Sequence, residues 1–209
     1  SRTMMLGELS LDGSLQPVKG ALPIAIKARE MGFEYLIVPR QNVREAAVVN
    51  RLKVYGASHI GEVVRFLNDE GGLIPTEIDT RAEFYAQQTE FDFDFADVKG
   101  QEHVKRALEV AAAGGHNVIM IGPPGSGKSM MAKRLPSILP PLSLAESLET
   151  TQIHSVAGKL ARESSLIARR PFRAPHHTIS QIALVGGGAN PQPGEVSLAH
   201  NGVLFCDEL

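Results

Sequence analysis

Val118-Ile119-Met120-Ile121-Gly122-Pro123-Pro124-Gly125-Ser126-Gly127-Lys128-Ser129 is the stretch that decides how this chain is read. Four apolar residues precede G-x-x-x-x-G-K-[ST], and a helix-compatible stretch to Leu135 follows. Strand, loop and helix in that order are the setting a phosphate-binding loop requires. Glycines let the backbone turn so that successive amides point inward at phosphate oxygens, and the following helix adds the positive end of its dipole. In such a loop Gly122, Pro123, Pro124, Gly125, Ser126 and Gly127 wrap the phosphates. Lys128 reaches the β and γ phosphates, and the Ser129 hydroxyl ligates Mg²⁺. ATP and Mg²⁺ are the cofactors this pattern predicts.

Working outward, Gly202-Val203-Leu204-Phe205-Cys206-Asp207-Glu208 offers an apolar run that ends in two carboxylates. A buried strand ending in acids is common by itself. After a phosphate loop it gains a role: Asp207 can hold the Mg²⁺ hydration shell, and Glu208 can orient and deprotonate an attacking water. That second carboxylate favours hydrolysis over transfer to a small-molecule hydroxyl. Catalysis is therefore expected to rest on Glu208 and Lys128, and the metal on Ser129 and Asp207.

Between the two patterns lies a basic segment, with Lys159, Arg162, Arg169, Arg170 and Arg173 against the single acid Glu163. His176-His177, Gly186-Gly187-Gly188 and Pro191-Gln192-Pro193-Gly194 follow. A glycine-rich hairpin or mobile loop flanked by cations can contact a polyanion; the bland alternative is a solvated basic face that serves subunit packing. Adjacent histidines rarely share one metal, so no metal site is expected at 176–177.

The first half alternates strand and helix patterns. Met5 to Leu11 can be a strand, Asp12-Gly13 a tight turn, and Leu15 to Val18 the antiparallel return. A helix from Leu22 ends at Gly32, and Tyr35-Leu36-Ile37-Val38 is a buried strand stopped by Pro39. A helix over about 42–49, a strand Leu52 to Tyr55 and a helix from Ser58 to about Asp69 complete a small α/β domain. In that last helix Ile60, Val63, Val64 and Leu67 share a face, and His59 beside its start is read as a cap or a solvated residue. Residues 1–80 carry 9 basic and 10 acidic groups, 81–100 carry 2 and 5, and 101–209 carry 10 and 8. The acidic middle, with Glu90-Phe91-Asp92-Phe93-Asp94-Phe95, reads as a linker or an edge strand.

The 209 residues allow one to two domains. A net charge of -2 and 43% hydrophobic residues exclude a disordered polyelectrolyte and a uniformly basic nucleic-acid coat. The single cysteine, Cys206, excludes an internal disulfide framework. No run is long enough to span a membrane, so a soluble cytoplasmic protein is expected. Because the chain opens on Ser1 and stops at Leu209 directly after a strand pattern, it reads as a fragment of a longer protein.

Taken together, Asp97-Val98-Lys99-Gly100-Gln101-Glu102, the loop 122–129, Pro171 to Thr178 and Gly194 to Glu208 resemble magnesium chelatase-like AAA+ ATPases, most of all the bacterial ComM/YifB group. The resemblance implies a partial AAA+ P-loop NTPase parallel-sheet core over 97–209. It also implies a homo-oligomeric, usually hexameric ring with nucleotide between subunits, and a DNA partner through branch migration or competence. Gly7 to Val18 and Leu36 to Asn42 are similar to the second part of a Lon-protease-like (ribosomal S5 domain 2-like) fold, over 1–75, with 76–96 as the linker. The resemblance would place a peptidase lysine early in the helix after the hairpin. Here Gly20 to Ile26 holds none, and Lys19 and Lys27 are the only nearby candidates, so this domain is expected to be non-proteolytic. The alternatives left open are a chelatase-type ATPase serving a metal-insertion partner and a peptidase-related scaffold.

Overall fold

The computed structural model describes residues 2–89, 91–161 and 165–207. The chain is an α/β protein that folds as two compact units, Ser1–Phe84 with Leu148–Ile167, and Tyr85–Ser147 with Ala168–Leu209. Glu208, Arg162, Glu163 and Glu90 lie outside the described residues.

The first unit begins with β1 (Thr3–Met5), β2 (Glu8–Leu9) and β3 (Leu15–Gln16), followed by α1 (Ala21–Glu30) and β4 (Tyr35–Pro39). Next come α2 (Val43–Ala47), β5 (Lys53–Ala57), α3 (Ile60–Leu67) and α4 (Thr80–Gln87). β1, β4 and β5 form a parallel sheet in that order, with Leu36 opposite Val54 and Ile37 opposite Tyr55. Parallel strands buried on both faces carry continuous apolar runs, which is why Tyr35 to Val38 was legible. Leu36, Val38 and Val54 are fully buried, as are Ala21, Leu22, Ala25, Ala28 and Ala46 of α1 and α2. Ile37, Tyr55, Ala57 and Val63 make the core on the opposite strand face, with Phe66 packed against it and its ring 4.7 Å from that of Tyr55.

The expected strand Met5 to Leu11 is divided. Its first part joins the sheet as β1, and only Glu8–Leu9 pairs antiparallel with Leu15–Gln16 around Asp12-Gly13. Helix α1 ends as the sequence predicts, with Gly32 at φ +79 just beyond it. His59 caps α3: its Nδ1 accepts the Gly61 N–H at 3.0 Å, which leaves Nε2 as the donor to the Asp12 carbonyl at 3.0 Å. The apolar face expected for α3 is used only in part. Val63 is buried, whereas Ile60, Val64 and Leu67 are 36%, 49% and 50% exposed. The helix meets the core through Val63 and Phe66, one turn apart, and this contact turns the other three away from it.

The second unit contains α5 (Glu102–Gly114), α6 (Lys128–Arg134), the start of α7 (Leu144–Val156) and β6 (Phe172–Arg173). It continues through α8 (Gln181–Val185), β7 (Gly186–Gly187), β8 (Gln192–Pro193), α9 (Glu195–Leu198) and β9 (Val203–Leu204). β6 and β9 pair in parallel, and β7 and β8 form the glycine hairpin. The acidic aromatic segment is not an edge strand. Asp94 caps a short 3-10 turn at Phe95–Asp97 through the Ala96 N–H, and Phe95 is buried with Val98, Leu108 and Met131.

The stretch Leu148–Ile167 belongs to the first unit. There Gly20 N–H donates to the Ser155 carbonyl at 3.0 Å, and Glu83 joins Arg44 at 2.9 Å to Ser165 at 2.7 Å. Nearby, Asn42 donates to Glu45 at 2.7 Å and to the Val18 carbonyl at 2.8 Å, and accepts from Val18 N–H at 2.9 Å. Burial holds the Glu45 carboxyl above its usual pKa, and the bond from Asn42 offsets this only partly. Since the folded state keeps that proton to higher pH than the unfolded chain, stability falls as pH rises from the ordinary carboxylate range through the raised value. Glu45→Gln retains the acceptor and removes the charge, so it is expected to raise the melting temperature at pH 7, with the advantage shrinking towards pH 4. Thermal melts across that range check it, and a lower melting temperature for the variant at pH 7 contradicts it.

Candidate functional site

Gly122 to Gly127 leads into α6, which starts at Lys128 with Gly127 as its cap. Gly125 and Gly127 sit at φ +78 and +90, backbone geometry that side chains rarely adopt, and a Cβ on Gly125 would meet nothing within 4 Å. The crest of the loop is therefore open to a ligand. Ser126 N–H closes a turn onto the Pro123 carbonyl at 3.2 Å. Lys128 reaches back over the loop, and its Nζ donates to the Gly122 and Pro123 carbonyls at 2.8 and 3.0 Å. The loop, with its ammonium group turned inward, has the donor set a polyphosphate needs. Ser129, in the first turn of α6, is exposed.

α6 is fixed by Met131, 1% exposed, against the cluster that Phe95, Val98 and Leu108 complete, and Ala132 beside it is 3% exposed. Behind it Arg134 lies over the Phe93 ring at 5.3 Å, and Ser137 Oγ accepts the Phe95 N–H at 2.9 Å. The acidic aromatic segment thus braces the helix that carries Lys128. The sequence reading did not anticipate that, nor a second neighbour, Gln101, whose Nε2 donates to the Ser126 carbonyl at 3.4 Å.

The lead-in Val118 to Ile121 is not a strand in this structure. Val118, Ile119 and Ile121 are 47%, 78% and 91% exposed, and among the described residues no strand pairs with them. A central parallel strand is made by flanking strands that bury both its faces, and an apolar run alone does not supply them. Of the expected parallel core, the described residues form the single pair β6–β9.

That pair positions Asp207. Val203 N–H donates to Pro171 O and Phe205 N–H to Arg173 O, both at 2.8 Å, so the ladder runs to within two residues of Asp207. Phe172 and Phe205 stack across it with centroids 6.3 Å apart, and Cys206 is half-buried, a packing role for the thiol. Asp207 is exposed, and no hydrogen bond or ion pair among the described residues joins it to the loop. No cluster of three or more His, Cys, Asp or Glu that could hold a metal occurs among those residues. Mg²⁺ fits this donor set as an ion that keeps most of its waters and takes one or two protein oxygens with the phosphates.

The basic segment is largely engaged within the fold. Arg173 forms a two-pronged pair with Glu195 at 2.6 and 2.7 Å, which makes its guanidinium more basic still, the hydrogen bond first. Arg170 donates to Pro140 O at 2.5 Å and Asn201 O at 2.8 Å and lies 3.3 Å from Glu146. Glu146 is held below the usual carboxylate range, chiefly by the Ser143 backbone N–H and also by Arg170. Arg169 stands 4.0 Å from Asp92. Lys159 is exposed, and Arg162 lies outside the described residues. The His176 and His177 rings lie 4.2 Å apart, tilted by 32°, with His176 Nδ1 on the Thr178 hydroxyl at 2.8 Å.

A glycine-bearing loop that opens a helix on an α/β frame, with a parallel strand running into an acid, fits an AAA+-type protein. The family described as magnesium chelatase, subunit ChlI, matches residues 94–209, and a second description, subunit ChlI of Mg-chelatase, matches residues 1–42; the chain belongs to this magnesium chelatase family. The competence protein ComM of Haemophilus influenzae is 44% identical over 207 residues, 98% of this chain and 40% of that protein. YifB of Escherichia coli is 44% identical over 208 residues, 98% of this chain and 39% of that protein. Lon protease 2 of Bacillus subtilis is 35% identical over 129 residues, 55% of this chain and 22% of that protein. The chain thus spans about 40% of the length of ComM. Among the described residues no helix is long and apolar enough to cross a membrane.

Gly202 ends the turn before β9, and a Cβ there would overlap the Pro171 carbonyl. Gly202→Ala must displace β6 or β9 from the ladder, at a cost of about 1–3 kcal/mol by analogy with overpacked cores. Chemical denaturation should show that loss; wild-type stability would contradict the ladder's role.

Proposed function

We propose that this chain is part of an ATP-hydrolysing AAA+ motor of the ComM/YifB group that acts on DNA. The observation that carries the reading is the Lys128 ammonium held over a loop with two left-handed glycines, within a chain that matches ComM and YifB along 98% of its length. In this reading Gly122 to Gly127 hold the phosphates through backbone amides, and Lys128 neutralises the β and γ oxygens. Ser129 and Asp207 would hold Mg²⁺ and its waters, and the ion supplies charge neutralisation at the transferred phosphate. Glu208 takes the proton of the attacking water.

The intact protein is proposed to form a homo-oligomeric ring, a hexamer, as AAA+ membership implies. DNA is the proposed partner on the resemblance to the ComM group. The paired arginines leave only part of the basic segment for such contact, with Lys159 its exposed described cation. Residues 1–75 are proposed as a Lon-like module without peptidase activity, a reading supported by the similarity to Lon protease 2. Lys27 is exposed and paired with Glu30 at 3.0 Å, Lys19 is exposed, and the helix start between them is apolar, with Leu22 fully buried. A lysine that serves as a catalytic base or nucleophile commonly sits in an apolar pocket, and both of these side chains are exposed instead. A chelatase-type role with a metal-insertion partner is the second reading; the name of the matched family favours it.

In the intact protein, Glu208→Gln should leave ATP binding within about twofold and reduce turnover by on the order of 10²-fold or more. Lys128→Ala should weaken binding itself. Equal loss of binding in both variants would falsify the assigned roles. The ATPase rate should rise with single-stranded or branched DNA, and DNA affinity should fall steeply between about 50 and 200 mM salt. A rate indifferent to DNA, with stimulation by a metal-insertion partner instead, moves the protein to the second reading.

A further inference from the structure

We propose that Gln101 is a positioning residue of the phosphate loop, one that orients the Gly127 N–H for a phosphate oxygen by holding the Ser126 carbonyl. The proposal rests on the nucleotide-binding reading above and names a residue that acts on the same loop through its backbone.

Gln101 Nε2 lies 3.4 Å from the Ser126 carbonyl oxygen, and a Cβ built on Gly127 would stand 3.7 Å from the same nitrogen. The side chain therefore lies along the Ser126–Gly127 peptide. In a trans peptide the C=O and the following N–H point to opposite sides of the chain. A donor that draws the Ser126 carbonyl to one side turns the Gly127 N–H to the other. No described group accepts from that N–H, whereas the Ser126 N–H is closed onto Pro123. The loop thus has one amide engaged in its own turn and one held ready.

The backbone of Gln101 is unusual in a way that serves this contact. It sits at φ +54 and ψ 42, left-handed, directly after Gly100 at φ +70. Only four non-glycine residues in the described structure have positive φ. A left-handed glutamine is disfavoured and persists where its surroundings hold it. Helix capping does not account for the position of the side chain: Gln101 is the N-cap residue of α5 yet makes no side-chain cap bond, and only its carbonyl serves the helix, accepting from Lys105 N–H at 3.0 Å. The amide is directed at the loop instead. α5 itself is anchored through Leu108 in the same cluster that buries Met131, so the residue that holds the carbonyl and the helix that follows the loop share one support.

The test uses the intact protein with ADP as the probe, followed by calorimetry, and thermal melts of the same samples. Gln101→Met keeps the bulk and removes the donor, whereas Gln101→Gly removes the donor and relieves the left-handed backbone. Both should weaken ADP binding by about three- to tenfold, the scale of one hydrogen bond. The melting temperature should fall or hold in the first and hold or rise in the second. Affinity loss uncoupled from stability supports a positioning role. Wild-type affinity in both variants overturns it, as does affinity that simply follows the melting temperature. If the wild type and Lys128→Ala both fail to bind ADP, the nucleotide reading falls instead, and the two failures are told apart.

Discussion

Burial of Met131 against Phe95, Val98 and Leu108 is the contact on which the phosphate loop depends. Glycines give the loop its left-handed turns and deprive it of any preferred shape, so its geometry is set by what anchors its ends. At the far end, Met131 and Ala132 fix the helix that presents Lys128 and Ser129. At the near end, Val118 to Ile121 has no strand beside it among the described residues, and Met120 alone is packed against the cluster. The loop is held from its C-terminal side. This also explains why the segment before α5 matters: Phe95 fills the cluster, and the Asp94 cap sets the turn that points Phe95 inward.

What the sequence made legible depends on whether a signal is local. The strand at Tyr35 to Pro39, the helix ended by Gly32, the His59 cap and the glycine hairpin are each written in a few neighbouring residues, and each formed. The run Val118 to Ile121 has an equally strong pattern, but a central strand exists only through partners, which no local pattern can supply. The attachment of Leu148–Ile167 to the first unit was invisible for the opposite reason. Its buried residues include Thr150, Thr151 and Ser155, polar side chains without hydrophobic periodicity, and Ile167 N–H is tied to Thr151 Oγ1 at 2.9 Å. Of the site, the loop and the strand leading to Asp207 were readable from motif and spacing. Gln101 was not, because a left-handed φ at a glutamine leaves no mark in composition.

Charge counting does not show which cations the fold itself engages. Residues 159–177 are basic by composition, and a run of cations reads as a surface for a polyanion. In the folded chain Arg173 is matched in geometry to Glu195, and Arg170 bridges carbonyls of separate loops. A planar guanidinium with five donors is suited to such cross-linking, and a lysine would not replace it. Arg173 lies in β6 and Glu195 opens α9, so the pair ties the strand beside β9 to the helix after the hairpin. Two of the residues in that basic segment, Arg170 and Arg173, therefore also hold the frame that carries Asp207.

The inward turn of Lys128 bears on how a ligand could bind. Its ammonium already donates to Gly122 O and Pro123 O, and the Ser126 N–H is bound to Pro123 O, so these donors are satisfied before any phosphate arrives. In the proposed function, phosphate binding would be an exchange of these bonds for others. A bond from an ammonium to a phosphate oxygen joins two opposite charges, whereas one to a carbonyl joins a charge to a dipole, so a single weakly charged oxygen gains little by displacing two carbonyls. Adjacent charged phosphates gain more, because Lys128 and the free amides are recruited together. Under the proposed function such a loop would favour a ligand charged densely enough to displace its own carbonyls, a preference set by the backbone rather than by a side chain specific for the base.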